Sequence, residues 1–294
     1  MIVECYDIGG TKIKGALITD GNPYEILQQL QINSERGNPA KLLNQIRAMS
    51  KQLRGELKRQ KIDAVSIALP GPVKDGILQA SPPLHLHAPF DIKAGLEGIT
   101  EPVFIDNDLN MAVMAELYFG NRPGNFYLLT LSTGIGAGIV INGKPLQGSC
   151  GEFGHDVLER NPNLANKCSC GKKGCWVAQA SGYGIEETAK KHGLNISCQD
   201  VFDMAGEGNK DAVKIVEAAK SYTAHGIGNM LNAFFVDTLV VMGTLGIKQF
   251  KSIIPAKDEI KQYSINRVPE ITATKFGEDI GIIGAYAYAV SRLK

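Results

Sequence analysis

Phe104-Ile105-Asp106-Asn107-Asp108-Leu109-Asn110 lies where one backbone pattern gives way to another. Before it, Pro102-Val103-Phe104-Ile105 is an apolar run that reads as a short buried strand. After it, Met111-Ala112-Val113-Met114-Ala115-Glu116-Leu117 reads as a helix by apolar periodicity, and 108–119 is its predicted span. Two carboxylates and two amides therefore fall at a helix N-terminus. Asn and Asp are common there because their oxygens accept from the first free N–H groups. Capping needs one such residue, and here there are four. The helix dipole favours an ionised carboxylate at this end, as a base accepting a proton requires. Asp108 is thus a candidate catalytic base, provided the chain supplies something to transfer. Capping is the competing reading.

The flanking segments supply that something. Residues 2–8 are apolar and β-rich. Asp7-Ile8-Gly9-Gly10-Thr11-Lys12 turns the chain into a second strand over 13–18. Gly9 and Gly10 let backbone N–H groups approach a phosphate, and Thr11 adds a hydroxyl. For the hairpin alone a plain glycine turn is the favoured reading, since Gly-Gly is an ordinary hairpin signal. The motif is not a Walker loop, which needs Gly-Lys-Ser/Thr entering a helix. A strand over 25–32 follows. Asn38-Pro39 then opens a helix with Leu42, Leu43, Ile46, Met49, Leu53 and Leu57 as its core stripe. Another strand over 64–69 ends at Pro70-Gly71-Pro72, which presents backbone at its carboxyl edge. Residues 81–90 form an irregular loop. His85 and His87 in it read as exposed, with no third ligand adjacent.

Gly120-Asn121-Arg122-Pro123-Gly124 marks a hinge or domain boundary. Beyond it the pattern repeats: a strand over 126–131, a glycine turn over 132–138 and a strand over 139–141. A second glycine hairpin opening a second half suggests internal duplication. Gly134, Gly136 and Gly138 are no dinucleotide fingerprint, because a strand follows them. Residues 183–236 are helical by pattern, with a polar break at 206–209. A buried strand over 238–242 ends at Gly243-Thr244. A helix over 245–262, a strand near 269–274 and a last helix near 279–292 complete an α/β chain. Its two related domains are expected to flank a cleft.

Cys168-Ser169-Cys170-Gly171-Lys172-Lys173-Gly174-Cys175 spaces its thiols as C-x-C-x4-C. His155 lies upstream in Gly151-Glu152-Phe153-Gly154-His155. Three thiolates and one imidazole match a closed, tetrahedral structural zinc site, which shapes a loop rather than doing chemistry. Glu152 is then expected beside the metal. The remaining composition is unremarkable in class. The 294 residues are 44% apolar and 21% charged, as in a soluble globule. A net charge of +1 gives no footprint for nucleic acid or an anionic membrane. No apolar run reaches the ~18 residues of a membrane helix. The N-terminus enters a strand at once without a leader pattern, so a cytoplasmic protein is expected.

The segments Asp7–Lys12, Asn107-Asp108-x-Asn110, Thr133-Gly134-x-Gly136, Gly151-Glu152-x-Gly154-His155, Cys168-x-Cys170-Gly171-x-x-Gly174-Cys175 and the tail Gly277-Glu278-Asp279-Ile280-Gly281-Ile282-Ile283-Gly284-Ala285 occur in that order. Together they resemble the ROK family of bacterial and archaeal sugar kinases and repressors, over nearly the whole chain. The resemblance implies an actin-like (ribonuclease H-like), hexokinase-type α/β fold with ATP and sugar in an interdomain cleft. It implies a small lobe of residues 1–119, rejoined by the C-terminal helix 281–294, and a large lobe of 120–280. Closure about the hinge would exclude water. Asp108 then resembles the family's base and Asn107 a sugar contact. Glu152 and His155 match sugar-side residues, and Gly71 is placed at the substrate. Gly9, Gly10, Thr11 and Lys12 match the first phosphate loop, Thr133 and Gly134 the second, and Gly243 the adenosine turn. Asp7 matches the carboxylate that holds Mg2+ through water. His155, Cys168, Cys170 and Cys175 match the zinc ligands.

The expected activity is ATP-dependent phosphorylation of a hydroxyl on a hexose, N-acetylhexosamine or related substrate. ATP, Mg2+ and structural zinc are the expected cofactors. A homodimer or homotetramer is expected on family grounds alone. Two positions depart from the family: Pro83 where Asn is usual, and Val177 where Glu is usual. Both normally contact sugar, so they favour either tolerance of several hexoses or a substrate whose C1–C2 end differs from glucose. His85, His87 and Gln179 are the nearby candidates to replace them. Two other readings are a sugar-sensing repressor and a sugar-binding module without catalysis. The first finds no basic footprint and no room before a strand at Ile2. The second is disfavoured by intact Asp7, Asp108 and both hairpins.

Overall fold

The computed structural model describes residues 1–55, 57, 61–96, 98–122, 124–146 and 151–294. Two compact units are present. The first holds Met1–Asn121 and Glu278–Lys294, the second Arg122–Leu146 and Gly151–Gly277.

In the first unit, β1 (Ile2–Ile8), β2 (Lys12–Asp20) and β3 (Tyr24–Asn33) form an antiparallel meander. Helix α1 (Pro39–Gly55) crosses to β4 (Ala64–Leu69), which is parallel to β1. The small ribbon β5 (Val73–Lys74) and β6 (Ile77–Leu78) follows. Strand β7 (Val103–Asn107) then pairs parallel to β4, and α2 (Asp108–Phe119) leaves it without a linker. The sheet order is β3-β2-β1-β4-β7. Position explains composition. The interior strand β4 is buried at every residue, as Ala-Val-Ser-Ile-Ala-Leu allows. The edge strand β3 alternates half-buried with exposed, turning Glu25, Gln29, Gln31 and Asn33 to water. Ile8, Ile13, Leu17, Ile46, Leu53 and Ile67 lie at the centre of the core.

In the second unit, β8 (Phe126–Leu131), β9 (Ile135–Ile141) and β10 (Lys144–Pro145) form a second meander. Helices α3 (Trp176–Ala180), α4 (Gly182–Lys191), α5 (Cys198–Gly206) and α6 (Lys210–Ala233) follow. Strand β11 (Thr238–Met242) then pairs parallel to β8. Short helices α7 (Thr244–Lys248), α8 (Phe250–Ile253) and α9 (Lys257–Lys261) lead to β12 (Glu270–Ala273). The order β10-β9-β8-β11-β12 repeats that of the first sheet, as the duplicated hairpins imply. Helix α10 (Ile280–Leu293) returns to the first unit and packs on α2, β1 and β4.

Three sequence expectations are corrected. Residues 135–138 are strand, not turn: Gly136 pairs with Thr130 and Gly138 with Leu128, so the turn is only 132–134. Glycine frequency misled here, because flat glycine backbone also fits a ladder. The helix expected over 245–262 is three pieces, interrupted at Gln249 and before Pro255, whose ring cannot continue a helix. The run over 183–236 has a further break at 192–197. There Gly193 takes a φ of 78° and Ser197 opens α5 with a capping box. Gly120 caps α2 at the expected hinge, while Pro123 lies outside the described residues.

Candidate active site and metal centre

Parallel pairing puts the carboxyl ends of β1, β4 and β7 at one edge of the first sheet. Asp7 pairs with Ala68, and Ala68 with Asp106, so the three share one row. Asp7 and Asp106 are thus two strand spacings, about 10 Å, apart on one face. The next row ends in Leu69 and Asn107.

Asn107 caps α2. Its Oδ1 accepts from Leu109 N (3.0 Å) and Asn110 N (3.2 Å), and its Nδ2 donates to Gly71 O at 3.0 Å. The side chain expected to touch sugar is therefore buried and spends most of its bonding locally. Gly71 has a φ of 137° and lies against the Ala80 carbonyl, so a side chain has no room there. Asp106 Oδ1 accepts from Asn107 N (2.7 Å) and from Asn110 Nδ2 (3.1 Å). The four polar residues thus divide their work. Asn107 caps, Asp106 holds Asn110, and Asp108 stands half-buried at the first helical position with Oδ1 2.9 Å from Leu109 N.

The turn between β1 and β2 closes with Gly9 N donating to Lys12 O at 2.8 Å, leaving Thr11 and Lys12 exposed. Asp7 precedes it. Burial pushes its carboxyl up to about 6, and Lys14 opposes that shift. Lys14 Nζ is itself held by Asp279 Oδ1 (2.8 Å) and Glu278 O (2.7 Å). The Asp7 carboxylate rests on Gly281 at the start of α10, where any side chain would collide with it.

In the second unit, Thr133 and Gly134 form the exposed β8–β9 turn, with Ser132 N donating to Gly134 O at 2.9 Å. Gly243, at the N-cap of α7, lies against the Leu131 carbonyl at the end of β8. The structure therefore brings Thr133, Gly134 and Gly243 to one sheet edge.

His155, Cys168, Cys170 and Cys175 place their ligand atoms within 4.8 Å of one another. Cys168 Sγ is 3.4 Å from His155 Nδ1, and Cys170 Sγ is 3.7 Å from Cys175 Sγ. Bonds of ~2.3 Å to sulfur and ~2.0 Å to nitrogen give tetrahedral edges of about 3.8 and 3.5 Å. The four residues therefore fit zinc. Without a cation, burial and the neighbouring thiols push Cys175 up to about 12; a coordinating divalent ion deprotonates such a thiol outright. His155 Nε2 faces Glu152 Oε2 at 3.4 Å, so Glu152 stands on the far side of the ring from the sulfurs. Burial raises the Glu152 carboxyl, and His155 opposes that shift.

The loop's foundation is Asn166, which no periodicity in the sequence signals. The two N–H groups of its Nδ2 are shared among three acceptors within reach, Ala178 O (2.9 Å), Gly184 O (3.2 Å) and Thr188 Oγ1 (2.9 Å). Its N–H donates to Gln179 Oε1 at 2.6 Å. Gln179 is only 4% exposed and is committed to this knot, so it is not the substitute sugar contact that its position suggests. Val177 packs into the core of α3 and its neighbours. His85 and His87 are exposed, as expected.

Comparisons with known proteins give the chain its relatives. A model of the ROK family matches residues 3–292. A glucokinase of Halalkalibacterium halodurans is 31% identical, over 95% of this chain and 92% of that protein. An N-acetylmannosamine kinase of Haemophilus influenzae is 31% identical over the same shares. The crystal structure of a ROK hexokinase from Thermus thermophilus superposes with a TM-score of 0.80 at 25% identity, covering 100% of both chains.

Proposed function

The chain belongs to the ROK family, and we propose on that footing that it is an ATP-dependent kinase for a hydroxyl of a hexose or N-acetylhexosamine. The observation that carries the reading is Asp108 at the N-terminus of α2, on the same sheet edge as Asp7 and the 9–12 turn. Asp108 takes the proton of the attacking hydroxyl. Asn107 fixes the first turn of α2 and hence the carboxylate. Glu152 and His155 hold sugar hydroxyls, with the ring of His155 oriented by the sulfur side of the metal loop. Gly10, Thr11 and Lys12 offer N–H groups to phosphate in a turn that Gly9 closes by donating to Lys12 O. Thr133 and Gly134 form the second phosphate loop, with Gly243 on the adenosine side. Asp7 would hold Mg2+ through water, and the ion would supply charge neutralisation on the phosphates. Zinc on His155, Cys168, Cys170 and Cys175 is structural.

Asp108→Asn should lower kcat by two to four orders of magnitude, the range typical of a general base, with KM little changed. Turnover within tenfold of wild type on the best substrate would remove Asp108 from this role. Pro83 and Val177 favour a substrate that differs from glucose at C1–C2, and they also motivate a second reading, a catalytically weak sugar-binding protein. ADP release measured on glucose, N-acetylmannosamine and other N-acetylhexosamines separates the two. A glucose preference above roughly a hundredfold over all others would overturn the specificity reading. Assembly as a homodimer or homotetramer is tested by sedimentation at micromolar concentration.

A further inference from the structure

The turn over 9–12 is gripped from two sides by residues that carry no assigned role. On one side stands Ser34, just after β3. Its Oγ donates to Gly9 O at 2.6 Å, and its N–H donates to Thr11 O at 2.9 Å. One residue thus engages two of the turn's carbonyl oxygens. On the other side is Pro83: a Cβ placed on Gly10 would lie 2.7 Å from Pro83 O and 2.8 Å from its Cβ. The two grips are joined, because Gly37 N donates to Leu84 O at 2.8 Å. The second grip is anchored in turn where Ser81 Oγ donates to Pro70 O at 2.5 Å, one residue before the carbonyl that holds Asn107.

The consequence is electrostatic. A peptide turn offers an anion both attractive N–H groups and repulsive C=O groups, and it binds phosphate only when the oxygens point elsewhere. We propose that Ser34 is a positioning residue for the nucleotide phosphates: it draws the Gly9 and Thr11 carbonyl oxygens to itself and so fixes which face of the turn meets the anion. Pro83 backs the turn so that it cannot rotate away. This also gives the proline at position 83 a task on the phosphate side of the reaction.

The proposal rests on the kinase reading, and the test separates the two. Wild type, Ser34→Ala and Ser34→Thr are compared for KM of ATP, KM of the sugar, kcat, and the dissociation constants of ADP and adenosine. Ser34→Ala removes one of the two bonds. It should raise the ATP KM and the ADP dissociation constant about fivefold or more, as loss of about one net hydrogen bond allows. Adenosine affinity, which involves no phosphate, and the sugar KM should stay within twofold. Ser34→Thr, which keeps the hydroxyl, should restore nucleotide binding. Unchanged ADP affinity in Ser34→Ala, or an equal loss for ADP and adenosine, would overturn the proposal. Wild type that neither binds ADP nor releases it from ATP would overturn the kinase reading instead.

Discussion

Asp7 shows how one side chain can serve function against stability. Its carboxyl is raised by burial to about 6 from an ordinary 3.8. The fold therefore disfavours the charged form. That contribution to stability is intact below about pH 4 and is lost as pH rises through about 6. A shift of this size corresponds to about 3 kcal/mol at neutral pH. Asp7→Asn should raise the Tm of the ligand-free protein at pH 7, leave it nearly unchanged at pH 4, and cut turnover severely. A lower Tm at pH 7 would show that Lys14 outweighs desolvation. At this scale the sequence was partly legible. The concentration of polar residues at 106–110 marks a site, because ordinary capping needs only one of them. It does not tell which one caps, since that depends on the register of Asn107 beside Leu69 and on the carbonyl of Gly71. Ser34 and Asn166 were invisible for the same reason: each acts on backbone brought near only by folding.

Among the elements, the metal loop is the least self-sufficient. It has a few turns and little apolar surface beyond Cys168, Cys175, Ala178 and Val177. Its shape depends on four ligand atoms and on Asn166. Cys170→Ser should lower zinc content below one equivalent per chain and shift the fluorescence of Trp176, the sole tryptophan, which is buried directly after Cys175. Asn166→Leu keeps the four ligands and the backbone bond to Gln179, but removes the side-chain donor that serves Ala178 O, Gly184 O and Thr188 Oγ1. It should cost about 3 kcal/mol or more, read by denaturant unfolding. Retention of full stability in that variant would show that the loop holds itself. Ligand spacing made this element readable in advance. The helices around 192–197 and 245–262 were not, because local breaks there are weak and tertiary packing decides them.

At the scale of the molecule, two sheets of the same strand order are built from two hairpins of related pattern, and periodicity revealed both. What periodicity could not place is α10, which belongs with strands that begin the chain. It buries Ile280, Ile282, Ile283 and Tyr286 together with five alanine and glycine neighbours. Exposing those four large side chains alone costs on the order of 8 kcal/mol, comparable with the whole stability of a typical domain. Removal of residues 278–294 should therefore leave the first unit unfolded. Loss of its protection from proteolysis, with the second unit's core still protected, is the expected result. A truncated chain with both units protected would contradict it.

That return of the last helix sets a schedule for synthesis. A ribosome delivers β1 to α2 first, yet the piece that seals them is delivered last. At roughly 5–20 residues per second, the interval spanned by residues 122–277 is on the order of ten seconds or more. The second unit, continuous over 151–277, has all its described strands and helices in hand before α10 emerges. The apolar faces of α2 and β4 that α10 covers wait through that interval, so the half of the molecule begun first is the half completed last.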